Sequence, residues 1–281
     1  MTHITFERGD FHCQSELAKA QSIGIDLNFG GSQPNHFGAP AATASPLRMG
    51  NFVGATSQGG SCNVVQISLI PHCNGTHTET VGHIVDALVP VCEMAPQGLV
   101  LALLISTETV SLSESSEHYH APAEPNDQVV TAAAIQAAFR AWHNSLPNVE
   151  IDAMVIRTLP NSQSKQSRAY QADNAPAYLT TDCMQVIDES SVNHLLIDLP
   201  SVDRMHDDGK LSNHHLFWNV VPMSRRVDSD TRRERTITEM IFVPDELPDG
   251  LYLLNLQTAP FVLDAAPSRP ILFTVQNARV D

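Results

Sequence analysis

Ile70-Pro71-His72-Cys73-Asn74-Gly75-Thr76-His77-Thr78-Glu79-Thr80-Val81-Gly82-His83 holds three histidines and one carboxylate within twelve residues. The run before it, Val64–Ile70, is β-branched and reads as a short buried strand. Ile84–Leu88, after it, reads as helix or loop. A polar cluster at a strand end is where α/β folds place chemistry, since the strand is rigid and the side chains can still converge. Imidazole and carboxylate together suit zinc, manganese or ferrous iron, and the lack of clustered thiols argues against a structural zinc knot. His77 and Glu79 share one face if the backbone is extended. Glu79 and His83 meet if a helical turn starts between them. Gly75 lets the chain turn tightly after His72. The competing interpretation is a polar loop with solvated histidines.

Working outward, the chain has 281 residues, enough for one large domain or two small ones. Hydrophobic residues make up 42%, as in an ordinary globular protein, which excludes wholesale disorder. The net charge of −15 repels nucleic acid and anionic membrane. Five scattered cysteines without a C-x-x-C pair argue against a disulfide framework. No apolar run approaches eighteen residues and no leader pattern opens the sequence. A reducing cytoplasm is therefore the expected compartment.

Residues 1–22 read as an N-terminal arm, helical at Ser15–Ser22, followed by a strand over Ile23–Leu27. Asn28–Gly60 is turn-rich and long enough to suggest a loop covering a site, with His36 and Phe37 facing a pocket or merely solvent. Leu99–Ile105 reads as a buried strand. His118 and His120 read as a solvated loop. The spacing of Val129, Ala132, Ile135, Ala138, Phe139 and Trp142 predicts a helix over Gln128–His143, capped by Asn126-Asp127. Further strands fall at Val149–Ile156, Asn193–Pro200, Thr236–Val243 and after Asp249-Gly250. A short helix is expected at Cys183–Glu189, capped by Thr181 or Asp182. Asp198 or Asp203, paired with Arg204 or Arg269, would hold loops together. Glu239, a carboxylate among strand formers, must be paired or bind a cation if buried.

Gly75-Thr76-His77-x-Glu79 followed by His83 resembles the signature of the cyclase family of metal-dependent hydrolases, which includes bacterial kynurenine formamidase and isatin hydrolase. The family pattern runs H-x-G-T-H-x-D-x-P-x-H. Here one extra residue separates His72 from Gly75, Glu79 replaces the aspartate, and Val81 replaces the proline. The segment Asp198–Trp218, with His214-His215, resembles the block that completes the metal sphere. Glu239 resembles the glutamate ahead of an apolar strand, and Asp264-x-x-Pro267-x-Arg269 the C-terminal block.

The residues alone imply an α/β or α+β chain with a central sheet and one main domain. The resemblance implies more: an α/β fold of the swivelling β/β/α type, a single domain over residues 1–281 with a central mixed β-sheet. It also implies a homo-oligomer. The expected metal ligands are His72, His77, Glu79, His214 (over His215) and Glu239. They would hold one or two divalent ions, with zinc expected and manganese the alternative. His83 is the expected proton shuttle, because an imidazole near its reference pKa both takes and returns a proton at neutral pH. The expected function is hydrolysis of an amide, formamide or cyclic amide in a small molecule, arylformamidase-like, with no nucleic-acid or membrane partner. Two alternatives remain open: a metal-binding isomerase, dehydratase or degenerate relative, and a binding module without metal. Phe37, Phe217 and Trp218 are available for an aromatic pocket.

Overall fold

Alternation within Leu99–Glu108 shows how the sheet is buried. Leu101, Leu103 and Ile105 pack into one core, Ala102 and Leu104 into another, so both faces of the strand are covered. The computed structural model describes residues 2–145 and 149–280. Its main sheet has ten strands: β1 (His3–Arg8), β2 (Phe11–Glu16), β3 (Gln21–Ser22), β4 (His77–Thr80), β5 (Leu99–Glu108), β6 (Ala153–Leu159), β7 (His194–Ile197), β8 (Thr236–Glu239), β9 (Gly250–Thr258) and β10 (Ala265–Val280). β5, β6, β7 and β8 run parallel in sequence order. β9 pairs antiparallel with β5, and β4 antiparallel with β8. The sheet is therefore mixed, within an α/β fold.

β10 ties the circuit together. Its first residues pair with β4, its middle with β9 and its end with β2. β4 thus lies between β8 and β10 and has no free edge. Three longer helices, α1 (Ala132–Ser145), α2 (Thr181–Glu189) and α3 (Ser212–Phe217), supply Ile135, Trp142, Cys183, Met184, Ile187 and Phe217 to the core over one sheet face. The opposite face packs Ile23, Val155, Leu196, Tyr252, Leu254 and Leu272. Among the described residues, no helix is long and apolar enough to cross a membrane.

Several local expectations change. Residues 2–22 hold two sheet strands, a 3-10 turn and a short third strand, in place of the helix expected at Ser15–Ser22. Alternate residues Phe11, Cys13 and Ser15 point inward, a period of two that is closed by pairing with distant β10. Val65–Ser68 is a strand, but all four residues are exposed in a two-stranded ribbon with Thr43–Pro46. The expected strand over Ile23–Leu27 contracts to a bridge between Gly24 and Ile241. Gln128–Val130 forms a short strand, so α1 starts at Ala132. The Glu117 carboxylate accepts from the Ala132 and Ala133 N–H groups at 2.7 and 3.0 Å, replacing the expected Asn126-Asp127 cap. Thr180 caps α2, accepting from the Cys183 N–H at 2.9 Å. The loop ties also differ: Asp198 pairs with Lys165 and Arg204 with Asp127.

Candidate metal centre

The metal loop leads into strand β4, and β4 carries the site. Gly75, at φ +131, makes the turn that admits the strand. His77 and Glu79 then fall on one face, as two-residue spacing in extended backbone requires. In register, Glu239 on β8 lies opposite His77, while Ile237 and Ala265 flank Glu79. The side chains of His77, Glu79 and Glu239 are 0%, 1% and 5% exposed, and their candidate ligand atoms lie within 4.8 Å of one another.

Beyond β4 the Thr80 hydroxyl accepts from the Gly82 N–H, starting the turn Val81–His83 that brings His83 back over Glu79. Gly82 is closely packed here. A Cβ on it would lie 3.0 Å from the Asp264 Cβ and 3.2 Å from the Thr80 hydroxyl. His72 and His83 stack at 4.4 Å between ring centres. His72 Nε2 lies 3.1 Å from Asp264 and 3.3 Å from Glu79, and His83 Nδ1 lies 3.8 and 3.9 Å from the same carboxylates.

His214 arrives from α3. Asp203 accepts from the Asn213 and His214 N–H groups at 2.8 and 3.1 Å, fixing the start of the helix. The same carboxylate meets His214 Nδ1 at 2.5 Å, so Nε2 is turned toward Glu79 at 3.0 Å. A carboxylate behind an imidazole is how a metal-binding histidine is oriented. His215 faces away, its Nδ1 3.3 Å from the Val220 carbonyl.

Three overlapping groups result: His77, Glu79 and Glu239; Glu79, His83 and His214; and His72, His83 and Asp264. Glu79 belongs to two of them, the position of a bridging ligand. Burial opposes its ionisation, yet His83, His214 and His72 hold it well below the usual carboxylate range. Proximity to His72, then His83, depresses Asp264 likewise. Burial works against a charge on His214, but Asp203 and Glu79 push its pKa well above the ordinary value.

The donor set fits a divalent ion. His77 Nε2 and Glu79 Oε2 are buried with no hydrogen-bond partner and converge on the same space. His77 Nδ1 is 3.0 Å from the Gly75 carbonyl, a contact only a protonated nitrogen can serve, so Nε2 presents its lone pair inward. Nitrogen and carboxylate donors without thiol suit zinc or manganese.

All six residues expected from the sequence, His72, His77, Glu79, His83, His214 and Glu239, are brought together. Two were not assigned there. Asp264 joins His72 and His83, although it heads the C-terminal block already singled out. Asp203 holds His214 rather than an arginine. His118 and His120 stay outside the cluster, with His118 paired to Asp182. Phe217 and Trp218 are fully buried in the core, whereas Phe37 is exposed and its ring covers buried His36 at 4.0 Å.

Residues 19–204 match the Cyclase family model, and the chain belongs to this family. Solved structures share the fold. A predicted metal-dependent hydrolase from Bacillus stearothermophilus is 16% identical, with TM-score 0.56, over 91% of this chain and 98% of that one. Isatin hydrolase A from Labrenzia aggregata, bound to benzyl benzoate, is 13% identical with TM-score 0.59, covering 92% and 94%. Isatin hydrolase A from Ralstonia solanacearum is 14% identical with TM-score 0.54, covering 92% and 93%. No curated protein matches the chain.

Proposed function

We propose that this protein is a metal-dependent hydrolase of amide, formamide or cyclic amide bonds in small molecules, arylformamidase-like in chemistry. The observation that carries the reading is the convergence of four imidazoles and three carboxylates around a shared Glu79, with inward donor atoms left unpaired. His72, His77, Glu79, His214 and Glu239 would hold one or two ions, zinc first and manganese second, and Asp264 would join them. A divalent ion, when bound, acidifies water and polarises a carbonyl.

The chain's own residues do the rest. His83, 28% exposed at the open side, takes the proton from the attacking water and returns it to the leaving nitrogen. Asp264 and Glu79 face its Nδ1 at 3.8 and 3.9 Å. Asp203 keeps His214 oriented. The supporting names are those of the structural neighbours, a metal-dependent hydrolase and isatin hydrolases. The protein is further proposed to act as a cytoplasmic homo-oligomer without nucleic-acid or membrane partners, in keeping with its charge and its five free cysteines.

The test is metal counted per chain by plasma mass spectrometry, followed by hydrolysis assays on N-formylkynurenine, isatin and formanilide. One or two zinc or manganese equivalents with cleavage of any of these is the expected result. Metal without cleavage points to an isomerase, dehydratase or degenerate relative. No metal after incubation with either ion overturns the reading.

A further inference from the structure

One residue of the metal centre also opens into a cavity. His83, with Ile84, Leu211, His215, Met223 and Arg225, lines a space of about 290 Å³. Its walls mix apolar Ile84, Leu211 and Met223 with polar His83, Asp86 and His215, and Arg225 is exposed where it lines the space. The Arg225 carbonyl accepts from the Asp86 N–H at 2.9 Å, which clasps the arginine's loop to the segment three residues beyond His83. The backbone of Arg225 is therefore tied to the segment that follows His83.

Several arginines of the fold pair with a carboxylate. Arg8 pairs with Asp152, Arg157 with Asp249, Arg204 with Asp127, and Arg232 and Arg235 with Asp188. Among the described residues, no ion pair or side-chain hydrogen bond engages Arg225. A free guanidinium offers a planar fork matched to a carboxylate. Beyond His215 and Met223, which line both spaces, a second cavity of about 620 Å³ continues and gives room for the rest of a ligand. Glu79 and Asp264 stand beside His83, on the metal-centre side of this space.

We propose that the cavity between His83 and Arg225 is a substrate-recognition subsite that takes a carboxylate-bearing amide, with the carboxylate on Arg225 and the scissile bond at His83. This deepens, and rests on, the hydrolase reading. Asp86 lines the same rim and is the rival reader, for an ammonium group.

The probes are N-formylanthranilate, which carries a carboxylate beside the formamide; formanilide, which lacks it; and N-(aminomethylphenyl)formamide, which carries an ammonium. The zinc-loaded full chain is expected to prefer N-formylanthranilate. Arg225→Gln lowers the ratio of its kcat/KM to that of formanilide about tenfold, chiefly through KM, as loss of a charge-assisted hydrogen bond predicts. Arg226→Gln, the exposed neighbour outside the cavity, leaves that ratio within twofold. An unchanged ratio in Arg225→Gln, an equal fall in Arg226→Gln, or preference for the ammonium probe overturns the proposal. If no formamide is cleaved, isatin hydrolysis decides the hydrolase reading, and calorimetric binding of benzoate decides the subsite. Weaker binding in Arg225→Gln than in wild type upholds it. Equal binding, or none in wild type, overturns it.

Discussion

The two halves of the metal centre are built differently. His77, Glu79 and Glu239 stand on paired strands and are almost wholly enclosed. His72, His83 and Asp264 come from turns and a strand entrance, with side chains 26%, 28% and 32% exposed. The enclosed half has no freedom to adjust, because β4 is bonded on both edges. The open half can meet a substrate and trade protons with water. Under the proposed hydrolysis, one half would fix position and the other would perform exchange, the division that metal-assisted hydrolysis needs.

Substitutions that act on one half alone test this contrast. His77→Ala should abolish bound metal and turnover together, the largest effect, read by metal content alongside activity. His83→Ala should keep metal and lower kcat by about 10²–10⁴, the usual share of general acid–base catalysis. Full turnover in His83→Ala would sink the division, as would metal retained by His77→Ala. Asp203→Asn leaves the ligands in place but weakens the hold on His214, and should cost about 10–100-fold in metal affinity. Chelator competition measures that loss.

The smallest effect concerns the frame. His194, on β7, is buried against the Thr236 hydroxyl, and burial lowers its pKa to about 4. Its folded value lies below the unfolded one near 6.5, so the unfolded chain takes up the proton first as pH falls. Stability is complete above about 6.5 and declines down to about 4, by at most on the order of 3 kcal/mol. In His194→Gln the urea midpoint of metal-free protein should fall less between pH 7 and 5 than in wild type. An identical slope would mean other groups set the acid response.

How much of this was legible from the residues depended on sequence distance. His77 and Glu79 declared themselves because extended spacing puts them on one face whatever their neighbours do. His83 followed from the four-residue offset. His214 and Glu239 needed a resemblance, since no local pattern shows that α3 and β8 converge on β4. Asp264 and Asp203 were visible as residues but not as partners. Asp203 sits beside Arg204, and local charge suggested an ion pair that the fold does not make. The N-terminal strands were missed because their inward period of two is satisfied only by β10. The exposed strand Val65–Ser68 was misread for the opposite reason: its β-branched residues fit a sheet, but its partner is a surface ribbon.

β10 also sets the order in which the centre can be completed. Thr78 bonds to Thr238 across 160 residues, and Thr80 to Asp264 across 184. During synthesis β4 emerges long before either strand that will flank it. Contacts so distant are slow to close, since loop entropy is spent before any pairing repays it. The ion-binding pocket is thus a late product of folding rather than its nucleus, and an ion that recognises the assembled ligands stabilises the finished chain without guiding its path.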